Sequence, residues 1–239
     1  MIKSESSKEL ESYAKYTGKQ IIKIAITGGP CGGKSDALRY IRLRLEKQGW
    51  KVLVVPETAT ELITGGVAPW TCKSNYDYHV IQMELHDYME YEFLKAAVNM
   101  EEDKVIIICD RGQPDCAAYL KEYEFNSICY EHGWSNLHEN YEAVFHLETI
   151  AKTYPDFYTL ETNEARHESI EEAIELDNKL LEAWRLHPNK YVIHGEVYFG
   201  EKLYKFATAV ERFLEDYEKS HPVENCMMKD FLKYREDKF

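Results

Sequence analysis

The sequence predicts an α/β domain built on a parallel five-stranded sheet with helices on both faces. Short β-branched runs alternate along the chain with longer segments of helical periodicity. The runs are apolar throughout rather than alternately apolar and polar, which is typical of strands buried on both faces. Since parallel strands need a crossover connection, usually a helix, this alternation favours a parallel sheet in a three-layer arrangement.

Five apolar runs are the predicted strands. They occupy residues 21–27, 51–56, 105–109, 143–147 and 191–194. The first run ends in glycines, and the third, VIIIC, is the most apolar of the five. Their lengths fall within the usual range for strands of globular proteins.

Helical periodicity marks the segments between the strands. Leu38, Ile41 and Leu45 share one face of a helix that follows the first strand. Further helices are predicted at about residues 78–100, 168–186 and 200–218. Residues 57–78, rich in Gly, Pro, Thr and Asn, are predicted to be irregular, and residues 126–140 to form a helical or loop insertion.

No internal repeat, low-complexity tract or linker divides the chain. Residues 1–239 are therefore predicted to form a single domain. Within it, residues 1–20 are a polar leader, residues 149–167 a polar connection and residues 219–239 a charged tail. The charge runs of the tail are typical of solvated surface.

The composition argues against several classes of function. A protein that grips a nucleic-acid backbone needs surplus Lys and Arg, whereas this chain has a formal net charge of −13. No stretch approaches the roughly 18 apolar residues of a membrane span, and the polar N-terminus lacks a secretory signal. Six cysteines without a CxxC pair are interpreted as reduced thiols, so a cytoplasmic protein is expected.

The strongest motif directly follows the first strand. Its eight residues match the pattern G-x-x-x-x-G-K-[ST] at every fixed position: Gly28, Gly29, Pro30, Cys31, Gly32, Gly33, Lys34 and Ser35. The glycines let backbone N–H groups surround phosphates, the lysine reaches the β- and γ-phosphates, and the serine hydroxyl binds Mg²⁺. With a strand before it and a helix after it, this motif predicts a P-loop NTPase fold that binds ATP and magnesium.

Charged residues follow two of the other predicted strands. Asp110 comes directly after VIIIC, at the edge where ligands bind such sheets, and is predicted to provide the second magnesium contact. Arg111 beside it is able to contact a phosphate or orient a carboxylate. Glu57 follows the second strand and is interpreted as the base that takes the proton of an attacking hydroxyl. Contacting metal-bound water, or capping a helix that begins at Thr58, are the alternatives.

Three motifs together resemble those of P-loop kinases of small metabolites: GGPCGGKS, the P-E after the second strand and the D-R-G after the third. The chain resembles in particular the AAA-type ATPase and kinase group that includes the ribosylnicotinamide kinase domain of bacterial NadR. That group also has a later Arg-containing segment, here N-E-A-R-H-E. Deoxynucleoside kinases have a comparable order of motifs, and the likeness spans about residues 21–215.

This resemblance implies roles for individual residues. Glu57 would be the base or would hold metal-bound water, and Asp110 would be the acid on the magnesium side. Arg166 would belong to a lid over residues 149–167 and neutralise charge during transfer. The chain differs from the family in two respects, since Lys152 and Arg166 are the only Lys or Arg residues of that lid and the insertion before the fourth strand has no assigned counterpart.

Candidates for an acceptor site lie near the long helix that precedes the third strand. His79, Gln82 and His86 share one face of it, and Gln82 could read the edge of a base, although a polar face toward water is the favoured interpretation. Trp70, with nearby tyrosines, could stack on an aromatic acceptor, although packing is favoured.

Asp177 stands in an apolar stripe of the helix predicted after the lid. A carboxylate in such a position needs a partner, and Arg166 and Arg185 are the candidates. The pairing would couple the lid to the core.

The function predicted from these observations is ATP- and magnesium-dependent phosphoryl transfer to a hydroxyl of a small molecule, with a nucleoside or ribosyl-type acceptor favoured. The first alternative is an ATP-binding switch or ATPase that acts through a protein partner. The second is a kinase of polynucleotide ends, against which the negative net charge argues. No membrane partner is expected, and the sequence leaves the oligomeric state open.

Overall fold

The computed structural model describes residues 9–12, 14, 18–158 and 169–222. Its centre is a sheet of five parallel strands in the order β2-β3-β1-β4-β5. The strands are β1 (Gln20–Thr27), β2 (Lys51–Val55), β3 (Lys104–Asp110), β4 (Ala143–Leu147) and β5 (Lys190–Ile193). The predicted α/β class and parallel sheet are confirmed.

Helices connect the strands and cover both faces of the sheet. They are α1 (Lys34–Lys47), α2 (Thr58–Thr64), α3 (Asn75–Asn99), α4 (Glu122–His132), α5 (Ile150–Thr153), α6 (Ile170–Ala183) and α7 (Phe199–Ser220). Short 3₁₀ helices occupy Gln113–Ala118, Leu137–Asn140 and Pro155–Phe157. Every strand-to-strand connection therefore crosses a face of the sheet through helix, as parallel pairing requires.

The register of the sheet brings the ends of three strands together. Ile26 of β1 pairs with Asp110 of β3 on one side, and Thr27 pairs with His146 of β4 on the other. The segments that follow β1, β3 and β4 consequently leave the sheet at neighbouring points of its carboxyl edge. This edge is where open α/β sheets bind their ligands.

Two apolar clusters hold the layers together. On one face, α1 and α7 pack against alternate side chains of β1, β3 and β4, with Ile24, Phe145 and Phe206 fully buried. On the other face, α3 and Trp184 cover the remaining side chains of the sheet, and Ala14 of the leader packs among them. Each fully buried side chain of this size stabilises the folded state by about 1.5–3 kcal/mol through its removal from water. The two clusters are therefore a major source of the hydrophobic stabilisation of the fold.

Two local predictions differ from the structure, and the predicted insertion is helical, as one of its two interpretations expected. The segment predicted to be irregular contains helix α2, which begins three residues after the end of β2 and buries Thr58. Helix α3 begins three residues earlier than expected, at Asn75, since the Ser74 hydroxyl accepts the N–H of Asp77 and caps it. The insertion forms α4 and a 3₁₀ turn around a third apolar cluster that includes Ile128.

Among the described helices, none is long and apolar enough to cross a membrane. Five of the six cysteines fall within the described residues, and none of these five forms a disulfide there. The sixth lies in the charged tail, most of which is outside the described part of the chain.

Candidate functional site

The phosphate-loop motif forms a tight turn between β1 and α1. Gly28 has φ 135°, and a Cβ atom there would collide with the backbone carbonyl of Leu147. Gly33 precedes α1 with φ 83°, and a Cβ atom there would come within 2.5 Å of the Phe199 ring. Backbone conformation and close packing thus both require glycine, as the motif predicts. The following helix directs its N-terminus at the loop.

A cavity of about 690 Å³ opens beside this loop. Its wall includes Gly32, Gly33, Lys34, Ser35, Glu57 and Asp110. The residues predicted from three separate sequence motifs therefore face one space. Apolar side chains of Ile150, Phe157 and Phe199 also line the cavity.

Lys34 reaches back over the loop that precedes it. Its Nζ donates to the carbonyl oxygen of Gly28 at 3.1 Å. Burial, together with the nearby Arg111, lowers the pKa of Lys34 from its ordinary value, although Glu57 and Asp110 oppose this. No carboxylate of the described residues lies within salt-bridge distance of this ammonium, so it is available to an anion.

The groups expected to hold magnesium fit that ion. Oδ1 of Asp110 is buried and has no hydrogen-bond partner among the described residues. Burial raises the pKa of this carboxyl, although Lys34 opposes the effect. A bare carboxylate oxygen that shares a cavity with the Ser35 hydroxyl is a donor set suited to Mg²⁺, which usually takes one or two protein oxygens and completes its shell with water and phosphate. The described residues contain no cluster of three or more His, Cys, Asp or Glu side chains able to hold a metal.

Glu57 and Arg111 form a partly buried ion pair at the same edge. Nε of Arg111 donates to Oε1 of Glu57, and Thr60 donates to Oε2 at 2.7 Å. Burial opposes ionisation of Glu57, but Arg111 and then Lys34 outweigh it and lower the pKa of the carboxyl to about 2. Glu57 is therefore a carboxylate at neutral pH and weakly basic in this arrangement.

Arg111 has φ 73°, a left-handed conformation that is uncommon for a residue with a side chain. Its N–H donates to the carbonyl oxygen of Ile26 at 2.9 Å, which fixes the turn after β3 to the end of β1. Such backbone strain is concentrated at functional sites, where the surrounding structure maintains it. Its Nη1 is buried without a hydrogen-bond partner in the described part of the chain.

Asp115 was not among the predicted site residues, but it supports them. Its carboxylate accepts the Thr27 hydroxyl at 2.8 and 2.9 Å and the Trp184 indole N–H at 2.5 Å. It also lies 3.6 Å from Nη1 of Arg111. Its position five residues after Asp110, in the segment directly after β3, was the feature of the sequence that could have identified it.

Asp177 is fully buried, and its observed partners differ from those predicted. Its carboxylate accepts the N–H of Gly29 at 2.7 Å, and it lies 3.1 Å from His146 and 2.6 Å from Lys152. Burial opposes its ionisation, but His146 and Lys152 outweigh it and hold the pKa of Asp177 well below its usual range.

Arg185, one of the two predicted partners of Asp177, instead pairs with Glu182 at 2.7 Å on the surface. The prediction of Arg185 is wrong because that residue lies past the end of α6, whereas Lys152 of α5 packs beneath the helix. Arg166, the other candidate and the predicted lid arginine, lies outside the described residues.

Two further side chains hold the carbonyl side of the phosphate loop. The Thr149 hydroxyl donates to the carbonyl oxygen of Pro30 at 2.5 Å. Nζ of Lys202 donates to the carbonyl oxygens of Gly32, at 2.8 Å, and of Glu148, at 2.6 Å. Sequence reasoning missed both residues, since neither belongs to a motif.

The favoured interpretations of the acceptor candidates are wrong. His79 and His86 are 3% and 5% exposed and face the protein interior rather than water. Trp70 is 76% exposed and does not serve packing. Tyr78 is buried with a hydroxyl that has no partner in the described part of the chain, and burial raises its pKa to about 12.

The fold and this edge of the sheet define a P-loop NTPase, a class of proteins that bind nucleotides. A family model described as an AAA domain matches residues 23–199, which is most of the chain and includes the loop, the sheet and the start of α7. The chain belongs to this AAA domain family. A comparison with curated proteins found no match.

Proposed function

We propose that the protein transfers the γ-phosphoryl group of ATP, with magnesium, to a hydroxyl of a small molecule. The observation that carries this proposal is that Glu57, held by an ion pair with Arg111, lines the same cavity as the phosphate loop. An ATPase also needs a group that orients its attacking water, so the resemblance to kinases of small metabolites is what favours a hydroxyl acceptor over water. A kinase requires a group that orients the acceptor hydroxyl.

On the donor side, the loop N–H groups and the N-terminus of α1 would surround the β- and γ-phosphates. Lys34 would leave the Gly28 carbonyl and pair with the γ-phosphate. Ser35 and Asp110 would hold magnesium, which supplies neutralisation of phosphate charge when bound. Because these groups are already in place around one cavity, little reorganisation is needed at the moment of transfer.

On the acceptor side, Glu57 would accept the hydrogen bond of the attacking hydroxyl and receive its proton. Its low pKa does not argue against this role, since phosphoryl transfer proceeds mostly by positioning and charge stabilisation. Nη1 of Arg111 lies 3.6 Å from the Asp115 carboxylate but makes no hydrogen bond within the described residues, and it would donate to an oxygen of the transferring group. The alternative role for Glu57, a contact to metal-bound water, uses the same geometry.

A nucleoside or ribosyl-type acceptor is the favoured class. It is supported by the resemblance to kinases of that kind and by the negative net charge, which disfavours long polynucleotides. Tyr78 supplies a protonated hydroxyl whose pKa is influenced by Glu57, and it would bind a second oxygen of such an acceptor. Arg166 would complete the charge neutralisation from the lid.

The proposal is tested by measuring ADP release from ATP and magnesium, with and without acceptors. The panel contains nucleosides, nucleotides, nicotinamide riboside and short oligonucleotides. Strong stimulation by one small acceptor, with a phosphorylated product of matching yield, is the expected result.

Two outcomes would contradict the proposal. Tight ATP binding without stimulation by any acceptor would favour the nucleotide switch that acts through a protein partner. Stimulation by oligonucleotide ends alone would favour a polynucleotide kinase.

A further inference from the structure

Lys202 is a buried lysine whose charge the protein leaves incompletely compensated. It lies in the first turns of α7, is 3% exposed and belongs to the wall of the cavity. Two of its three N–H groups donate to the backbone carbonyls of Gly32 and Glu148. The third has no acceptor among the described residues, and an ammonium in such a place needs an anionic partner.

The carboxylates that face Lys202 already serve other cations. Its surroundings include Asp177 of α6, Glu148 after β4 and Glu196 after β5, and also the ammonium of Lys34. Asp177 lies 2.6 Å from Lys152, and Glu148 lies 3.2 Å from His194 and 3.7 Å from Lys152. Glu196 lies 2.6 Å from Lys205. None of them lies within salt-bridge distance of Lys202 in the described part of the chain.

The same combination of features marks Lys34, the lysine of the phosphate-loop motif. Each of the two ammonium groups lines the cavity and donates to backbone carbonyls of the loop, Gly28 for Lys34 and Gly32 for Lys202. Each has its pKa lowered by burial. Lys152, another lysine of this region, differs from both because its ammonium lies 2.6 Å from the buried carboxylate of Asp177.

We propose that Lys202 is a second phosphate-binding lysine, which donates its third N–H to a phosphate oxygen of the nucleotide on the loop. The ligand class is a nucleoside di- or triphosphate. The contact would join α7, the helix after β5, to the nucleotide. The nucleotide site would then extend beyond the phosphate-loop motif that follows β1. This inference rests on nucleotide binding by the phosphate loop and does not depend on the acceptor.

The proposal has a consequence for pH dependence. Burial lowers the pKa of Lys202 to about 8 in the nucleotide-free protein. A bound polyphosphate stabilises the charged ammonium and raises that pKa, so binding takes up a proton near pH 8. Nucleotide affinity should therefore fall as the pH rises through about 8, where the lysine of the free protein loses its charge.

The test measures the affinity for magnesium-ADP and magnesium-ATP without acceptor, between about pH 6.5 and 9.5. Lys202→Met should weaken binding about 10-fold at neutral pH, the usual size of a lost charged hydrogen bond, and should flatten the pH profile. Lys202→Arg retains the charge at all these pH values, so it should bind at neutral pH like the wild type and also show a flatter profile. The matched control is Lys205→Met, an exposed lysine of the same helix, which should behave like the wild type.

Proton uptake can be compared between the wild type and Lys202→Arg, so it tests the proposal even if Lys202→Met fails to fold. Calorimetric titration with magnesium-ADP at about pH 8, in two buffers of different ionisation enthalpy, should show net uptake by the wild type and much less by Lys202→Arg. Unchanged uptake in Lys202→Arg would overturn the proposal and assign the proton to Lys34 or another group. Wild-type affinity and an unchanged pH profile in Lys202→Met would overturn it as well. Neither result bears on whether an acceptor is phosphorylated.

Discussion

The phosphate-loop side of the cavity, here called the donor side, and the proposed acceptor side are built in different ways. On the donor side, Lys34 and Ser35 are consecutive residues, and the loop that precedes them is local in sequence. On the acceptor side, Glu57 and Arg111 follow two different strands and are joined by an ion pair across the sheet edge. A single motif therefore specifies the phosphate site, whereas the acceptor side exists only when the sheet has formed.

The residues that hold the two sides in place also differ. Asp177 and Lys202, from α6 and α7, hold the N–H and carbonyl groups of the phosphate loop. Asp115 supports the acceptor side through Arg111 and the Thr27 hydroxyl. Changes in the donor motif should thus weaken nucleotide binding, and changes on the acceptor side should remove transfer alone. Changes in support residues for which no ligand contact is proposed, such as Asp177, should act mainly on stability.

The largest effect is expected for Lys34→Ala. This variant should abolish transfer and weaken ATP binding, because the γ-phosphate loses its cation, while the fold is retained. Turnover and ATP affinity measured side by side check the prediction, with circular dichroism to confirm folding. Full turnover in the variant would contradict the assignment of residues 28–35 as the phosphate-binding loop.

Glu57→Gln separates the two sides of the cavity. It should retain ATP binding while turnover falls about 10²-fold or more, the usual size of general-base effects. The matched control is Glu61→Gln, an exposed carboxylate of the same helix, for which normal turnover is expected. Near-normal turnover in Glu57→Gln would leave Glu57 with a structural role only.

Asp177→Ala tests the support of the phosphate loop. It leaves the partly buried Lys152 without its nearest carboxylate and the buried Gly29 N–H without its acceptor, so unfolding in denaturant should show a loss of about 3–5 kcal/mol. Asp216→Ala is the control, since its ion pair with Lys219 is solvent-exposed and should be worth less than about 1 kcal/mol. A loss for Asp177→Ala as small as that of the control would show that the loop holds its shape without this carboxylate.

The smallest effect concerns acid stability. Glu57 has a folded-state pKa of about 2, below its ordinary value of 4.5, so it contributes stability at neutral pH that is lost as the pH falls from about 4.5 toward 2. The free energy of unfolding should decline over this range in the wild type, and less steeply in Glu57→Gln. Equal slopes for the two proteins would mean that the Glu57–Arg111 pair forms only when ligands are bound.

The order of the elements and most of the motif residues could be predicted from the sequence, because their signals are local. Strand β4 was placed correctly, and the other strands to within one residue at each end, since buried parallel strands are continuous apolar runs. Helix α2 was missed because seven residues are too few to show helical periodicity. The partner of Asp177 was misassigned because the sequence shows that a buried carboxylate needs a cation without showing which one packs beneath it.

The sequence by itself determined the α/β class, the parallel sheet and the phosphate loop, and it pointed to Glu57, Asp110 and Arg111 as neighbours at one edge. These properties follow from periodicity, glycine geometry and the rule that parallel strands end together. Only the tertiary structure decided that Arg111 neutralises Glu57 and that Lys202 lines the nucleotide cavity. Contacts of this kind join residues far apart in the chain, and desolvation and charge pairing, which depend on three-dimensional surroundings, give them their chemistry.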